Sequence, residues 1–275
     1  MPISKLSEVM KEMGMLKYES QALLTIAYRD WVKLVRDRTR IIATFVFPFM
    51  FIAILGKSFD ANLSDTIGYN YLTFVFIGVL GQTLFQSTAS GIISLIEDRE
   101  TDFSQEIFVT PVSRYTIILG KIVGETCVSL TQIIGIIGLG FLIGVRLNIS
   151  EIIVMAPAML LISLLGGAFG VFVMSYLNTQ RLANQVFPFL LFPQFFLAGV
   201  FNPIKGNPFA YQVMTHLAPM TYAVDLLRSI FYHNRPEGAL TILHSTLINT
   251  TAVIGLILIF FILGTKRFVS RERNR

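Results

Sequence analysis

Charge is scarce in this chain: only 14% of its 275 residues are charged, against roughly a quarter in an ordinary soluble domain. A water-soluble globule needs a charged outer layer, so the shortage excludes a soluble enzyme, a disordered chain and a nucleic-acid binder. Cysteine is almost absent. Cys127 stands alone, which excludes an internal disulfide framework and any Cys-based metal cluster. The three histidines, His216, His233 and His244, are scattered, and no metal site is expected from them. A phosphate-binding G-x-x-x-x-G-K-[ST] loop is missing as well. Gly120-Lys121 is followed by Ile122 and lacks the glycine five residues earlier. No ATP chemistry, catalytic residue or cofactor is therefore expected on this chain. There is no internal repeat and no low-complexity linker, so 1–275 reads as one domain.

Apolar side chains are what the sequence has in excess, at 53% with a mean hydropathy of +0.66. A spanning helix takes about 20 apolar residues. Apolar runs at 41–56, 70–96, 117–145, 152–177, 182–201 and 243–264 read as six spans, the first of them short. Lipid offers the backbone no hydrogen bonds, so each run should be helical. A β-barrel would show short alternating segments instead. The first 40 residues lack the pattern of a cleavable signal, so the first span should stay as an anchor.

With six spans both termini share a side, and the basic residues say which. Lys57, Arg146, Lys205, Arg228 and Arg235 fall on the other side, and the remaining 17 of the 22 fall with the termini. The positive-inside rule makes both termini cytoplasmic. A pI near 9.4 then reflects topology and contact with anionic lipid, with no nucleic-acid partner.

Residues 23–40 read as an amphipathic helix on the inner membrane face. Ala27, Trp31, Leu34 and Val35 fall at i, i+4, i+7 and i+8, with Arg29, Lys33, Arg36 and Arg40 elsewhere. The simple reading is an anchor leading into span one; the functional one is a lever that moves with the membrane domain. The inner loop 97–116 is rich in acid, with Glu97, Asp98, Glu100, Asp102 and Glu106 alongside Arg99 and Arg114. Phe103, Ile107 and Phe108 form one apolar strip on a short helix that Pro111 ends. An apolar strip in the cytosol calls for a protein cover, either a partner or the protein's own inner helix ends.

Isolated polar groups suggest local pairs, Lys121 with Glu125 and Asp225 with Arg228. Gly140/Gly144 and Gly166/Gly170 have the spacing that permits close helix approach. Phe187, Phe189, Phe192, Phe195 and Phe196 make the fifth run aromatic. They would either line a path or face lipid.

Two stretches carry a family resemblance. Glu97–Arg114, with Val109-Thr-Pro-Val-Ser-Arg114 running on to Gly120-Lys121, resembles the cytoplasmic segment of ABC-2 type transporter permeases. Phe196–Ile204, Pro208 and Leu217–Arg228 resemble the segment before that family's last span. Asp102 stands where the family has a glycine, and Ala218-Pro219 where it often has Asn-Pro. The resemblance implies an all-α membrane protein with an interfacial helix, a cytoplasmic coupling helix in 97–116 and outer re-entrant half-helices in 202–242. Pro203, Pro208 and Pro219 would break the helix in that outer region, with Tyr222, Asp225 and Arg228 belonging to it.

It also implies an export permease of the cell (inner) membrane that works as a homodimer or heterodimer. Each subunit would dock a separate ATP-binding subunit, which carries the ATP and Mg, through Glu97, Arg99, Glu100, Phe103, Glu106, Ile107, Phe108, Pro111 and Arg114. The exported substrate would be drug-like, lipid or glycan. An intramembrane enzyme would need converging acids, a Ser/His pair or metal ligands, and an ion-coupled carrier a mid-membrane carboxylate. The sequence suggests neither.

Overall fold

Every regular element is helical among the described residues of the computed structural model, which are 3–56, 59, 67–100, 112–205 and 208–273. Helix α1 (Ile3–Arg36) is parted from α2 (Arg38–Met50) only at Asp37, and α2 runs on through a π-helical turn, Phe51–Gly56. Then come α3 (Tyr71–Gly91), α4 (Ser94–Glu100), α5 (Arg114–Ile143), α6 (Ile149–Met174) and α7 (Gln180–Leu197). Two short helices, α8 (Phe209–Leu217) and α9 (Pro219–Phe231), and one turn, α10 (Gly238–Thr241), precede the last helix, α11 (Thr246–Arg273).

The centre is α3. It starts where the Asn70 side chain accepts a hydrogen bond from the Thr73 amide at 2.8 Å, a typical N-cap. It is apolar nearly all round, and a helix of that kind belongs inside a bundle. It is buried along almost its whole length, against α5, α6 and α9, with α11 along the far side of α6. Glycine sets the α3–α6 distance: a Cβ added at Gly170 would fall 2.7 Å from the Ala89 carbonyl, and Gly166 faces the Phe85 carbonyl and Thr88 as closely. Gly170→Leu should therefore cost about 1–3 kcal/mol by overpacking. A lowered Tm would show it, and Gly138→Ala, where an added Cβ meets open space inside a helix, should not lower Tm.

Four helical stretches are long and apolar enough to cross a membrane: Tyr71–Asp98, Arg114–Ile143, Ile149–Met174 and Gly238–Ser270. The runs at 41–56 and 182–201 are helical but fall short. The first yields only Thr44–Ile54 as an apolar helix. The second, α7, is 18 residues long and carries Gln180, Arg181, Asn184 and Gln194.

Helix α1 packs its side along α5. A Cβ at Gly120 or Gly124 would come to 3.1 Å of the Leu23 carbonyl and 3.0 Å of the Ala27 Cα. The expected strip divides between the protein interior and its surface. Ala27 and Leu34 are buried, but Trp31 and Val35 remain 37% and 49% exposed, and Asp30 takes the third buried place. Periodicity scores an acid as polar, yet this acid meets a buried lysine.

Candidate functional site: a polar groove and the charge cluster at its base

One face of α3 breaks the apolar pattern. Gln82, Gln86, Ser90 and Ser94 recur every fourth residue into α4, with Thr83 and Ser87 beside them. Four-residue spacing keeps side chains on one helical face, and a rise of 1.5 Å per residue carries this stripe over about 18 Å. A cleft of about 580 Å³ opens against it, closed on its other sides by Thr44 and Phe47 of α2, Gln132 of α5 and Asn184 of α7. Ser87 donates to Gln132 at 2.6 Å, Gln132 donates to Thr44 at 3.3 Å, and Gln82 bonds Gln86.

A second hollow of about 290 Å³ shares Phe47, Gln86, Ser90, Ile93 and Asn184 with the first, and extends it along α7 past Phe187, Leu191, Phe192 and Phe195. The α7 aromatics thus divide. Phe187 and Phe195 are buried in the groove wall, while Phe189 is 81% exposed on the opposite side. The regular polar spacing in α3 was present in the sequence; counting apolar residues alone passes over it.

Next to Glu97, which lines the groove, Asp98 belongs to a cluster of five charges shared by α1, α4 and α5. Lys121, 1% exposed, places its ammonium 3.1 Å from Asp30 and 2.8 Å from Asp98. Arg29 also pairs with Asp98 and reaches Asp30 at 3.2 Å, and Lys33 lies 3.3 Å from Asp98. Burial works against the Arg29 charge, but Asp98 and Asp30 outweigh it and hold its pKa above the ordinary arginine value. Lys121 therefore turns to α1 and α4, where the local pairing rule had suggested Glu125. Glu125 is itself buried and packs on Gly91.

Helix α1 holds both ends of the segment between α4 and α5. Asp98 is gripped at one end, and at the other the Ser113 amide donates to Glu19 at 2.8 Å. Of the expected docking residues, Glu97 is exposed at the groove mouth and Arg114 opens α5. Arg99 and Glu100 lie in α4, with their side chains outside the described set. Phe103, Glu106, Ile107, Phe108 and Pro111 lie outside the described residues. On α1, Trp31 donates to Thr131 of α5 at 3.1 Å, and Arg36 ends the helix in solvent-accessible space. Arg40 belongs to α2, its side chain undescribed.

The far end of the bundle is held by a different pair of charges. Pro203 lies in the turn after α7, Pro208 precedes α8, and Pro219 opens α9. The expected Asp225–Arg228 pair is replaced by separate roles. Arg228 is 2% exposed; it donates to the carbonyls of Gly199 at 2.7 Å and Val200 at 3.0 Å, and lies 3.6 Å over the Phe74 ring. Asp225 accepts from the Leu243 and His244 amides at 2.8 and 2.7 Å, and from Asn249 at 2.8 Å. Tyr222 donates to the His216 carbonyl at 3.0 Å. The histidines are less scattered than their numbers suggest, since His216 and His244 come to 5.1 Å between ring centres.

A family model described as ABC-2 type transporter matches residues 21–232. A Cyanophora paradoxa protein named as a transport permease, ycf38, is 24% identical over 222 residues, covering 78% of this chain and 75% of that one. Its Pyropia yezoensis counterpart is 26% identical over 224 residues, with 78% and 74% covered. The inner membrane transport permease YadH of Escherichia coli (strain K12) is 23% identical over 227 residues, covering 82% and 85%.

Proposed function

This chain belongs to the ABC-2 type transporter family, and from that premise we propose that it is the permease subunit of an ATP-driven exporter. It is an integral membrane protein of the transport-permease kind. In the proposed arrangement the runs at 41–56 and 182–201 complete six spans, and both termini face the cytoplasm across the cell (inner) membrane. Two such subunits meet to enclose a pathway, and the groove between α2, α3 and α7 forms one half of it. A separate ATP-binding subunit docks on 97–116 and supplies ATP hydrolysis; the cargo is a drug-like molecule, lipid or glycan.

The observation that carries this reading is the grip of α1 on both ends of the 101–111 segment, at Asp98 and Ser113. A displacement of that segment pulls on α1 and, through Lys121, on α5 together. Rigid helices moved in this way rock as bodies, and α5 contributes Gln132 to the groove wall.

Affinity purification of the tagged chain from its native membrane should bring down an ATP-binding subunit. Phe103→Asp or Ile107→Asp should abolish that association while membrane insertion survives. Unchanged co-purification of these variants, or transport in vesicles driven by an ion gradient without ATP, would count against the assignment.

A further inference from the structure

The far end of the bundle brings together two histidines from different elements. His216 lies in the last turn of α8, and His244 lies just before α11. Their ring centres are 5.1 Å apart, with the ring planes at 82°. Tyr222 of α9 touches both. Its ring stacks on His244 at 5.8 Å, and its hydroxyl donates to the His216 carbonyl at 3.0 Å.

The ring nitrogens are sorted as well. Nδ1 of His216 lies 2.6 Å from the Gln212 carbonyl. A carbonyl only accepts, so Nδ1 carries the proton and Nε2 keeps its lone pair. His244 turns its buried Nδ1 toward Asp225 Oδ2 at 3.7 Å, and a carboxylate there favours the proton on that nitrogen. Each Nε2 is then free to coordinate. A carbonyl behind one ring and a carboxylate behind the other is the backing that metal-bound histidines have.

Ring separation chooses the metal. With a zinc–nitrogen bond of about 2.0 Å, a ring centre stands about 3.2 Å from the ion. Two imidazoles at a tetrahedral angle then have centres about 5.2 Å apart, and at a square-planar right angle about 4.5 Å. The observed 5.1 Å agrees with the first.

We propose that His216 and His244 bind Zn(II) through Nε2, with water in the remaining positions. Among the described residues no set of three His, Cys, Asp or Glu side chains is placed to hold a metal, so the chain supplies two ligands and the ion is exchangeable. Asp225 orients His244 from behind while it accepts from the Leu243 and His244 amides and from Asn249. A bound ion ties the end of α8 to the start of α11 across α9.

The test uses the purified full chain in phosphatidylcholine nanodiscs, without a histidine tag, stripped with chelator and titrated with zinc against a fluorescent zinc indicator. One zinc should bind per chain and raise Tm. His216→Gln and His244→Gln should each weaken binding at least about tenfold and abolish the rise in Tm. His216 is exposed, so its variant should keep the zinc-free Tm of the parent, which separates lost ligation from lost folding. His233→Gln, at another exposed histidine, should change nothing. X-ray absorption at the zinc edge should show two imidazoles at about 2.0 Å, with oxygen completing four ligands. The spectrum is read on the unaltered chain, so it decides the matter even where a variant loses Tm. Zinc held as tightly by His216→Gln as by the parent would be an adventitious ion only and would overturn the proposal. So would the absence of saturable binding, or a spectrum with fewer than two imidazoles. Neither cargo nor an ATP-binding subunit enters the assay, so its outcome is independent of the permease reading.

Discussion

Replacing Lys121 with alanine is expected to destabilise the protein by about 3–5 kcal/mol, the usual cost of removing one member of a buried ion pair. The lysine is 1% exposed and Asp30 is 3% exposed, so no water replaces the lost ammonium at Asp30. Asp98 keeps both Arg29 and Lys33, while Asp30 keeps Arg29 at 3.2 Å, so Asp98 should suffer less. The asymmetry makes a distinctive prediction. Lys121→Met combined with Asp30→Leu should lose less stability than the two single changes added together, because neither buried charge then stands without the other. Thermal unfolding in detergent of the four proteins of this cycle measures it. Simple additivity would show that the two charges do not depend on each other. The same double variant separates stability from the proposed coupling: it should fold, yet, if an ATP-binding subunit docks as proposed, stimulate it poorly, because the Asp30–Lys121 tie between α1 and α5 is gone.

Arg228→Ala should be equally costly, at about 3–5 kcal/mol, for a different reason. No carboxylate is lost. Two carbonyls in the turn after α7, Gly199 and Val200, lose a charged donor, and the space over Phe74 empties. The guanidinium links three elements at once, the start of α3, the turn after α7 and α9. Arg228→Lys keeps the charge but not the planar fork, so it should recover less than half of the loss. Protease cleavage in the turn at 198–205 should rise in step with the loss of Tm. A turn that stays protected in Arg228→Ala would show that other contacts hold it.

The contrast between these two residues shows how far sequence reading reaches here. For both, the local spacing rule offered a neighbour three or four residues away. A helix surface in water does favour such pairs, but only by a few tenths of a kcal/mol. Inside a bundle, a long cationic side chain turns to whatever fixes it best. For Lys121 that is an acid 91 residues earlier, and for Arg228 it is backbone carbonyls released by a turn. Asp225 likewise spends its lone pairs on amides 18 and 19 residues ahead. None of these partners leaves a periodic trace. The polar stripe on α3 does leave one, at every fourth residue, and a search for polar as well as apolar periodicity would have found it.

Composition and pattern determined that this chain lives in a membrane as helices, because apolar runs in lipid must satisfy their own backbone hydrogen bonds. The two family-like stretches determined its kinship, since motif residues are read in order along the chain. The scarcity of charge proved to be a matter of placement. Only the tertiary structure decided where the few interior charges go, that α1 is bonded to Asp98 and to Ser113, and that a polar face and an aromatic face meet in one groove. Those are contacts between residues far apart in sequence, and packing selects them.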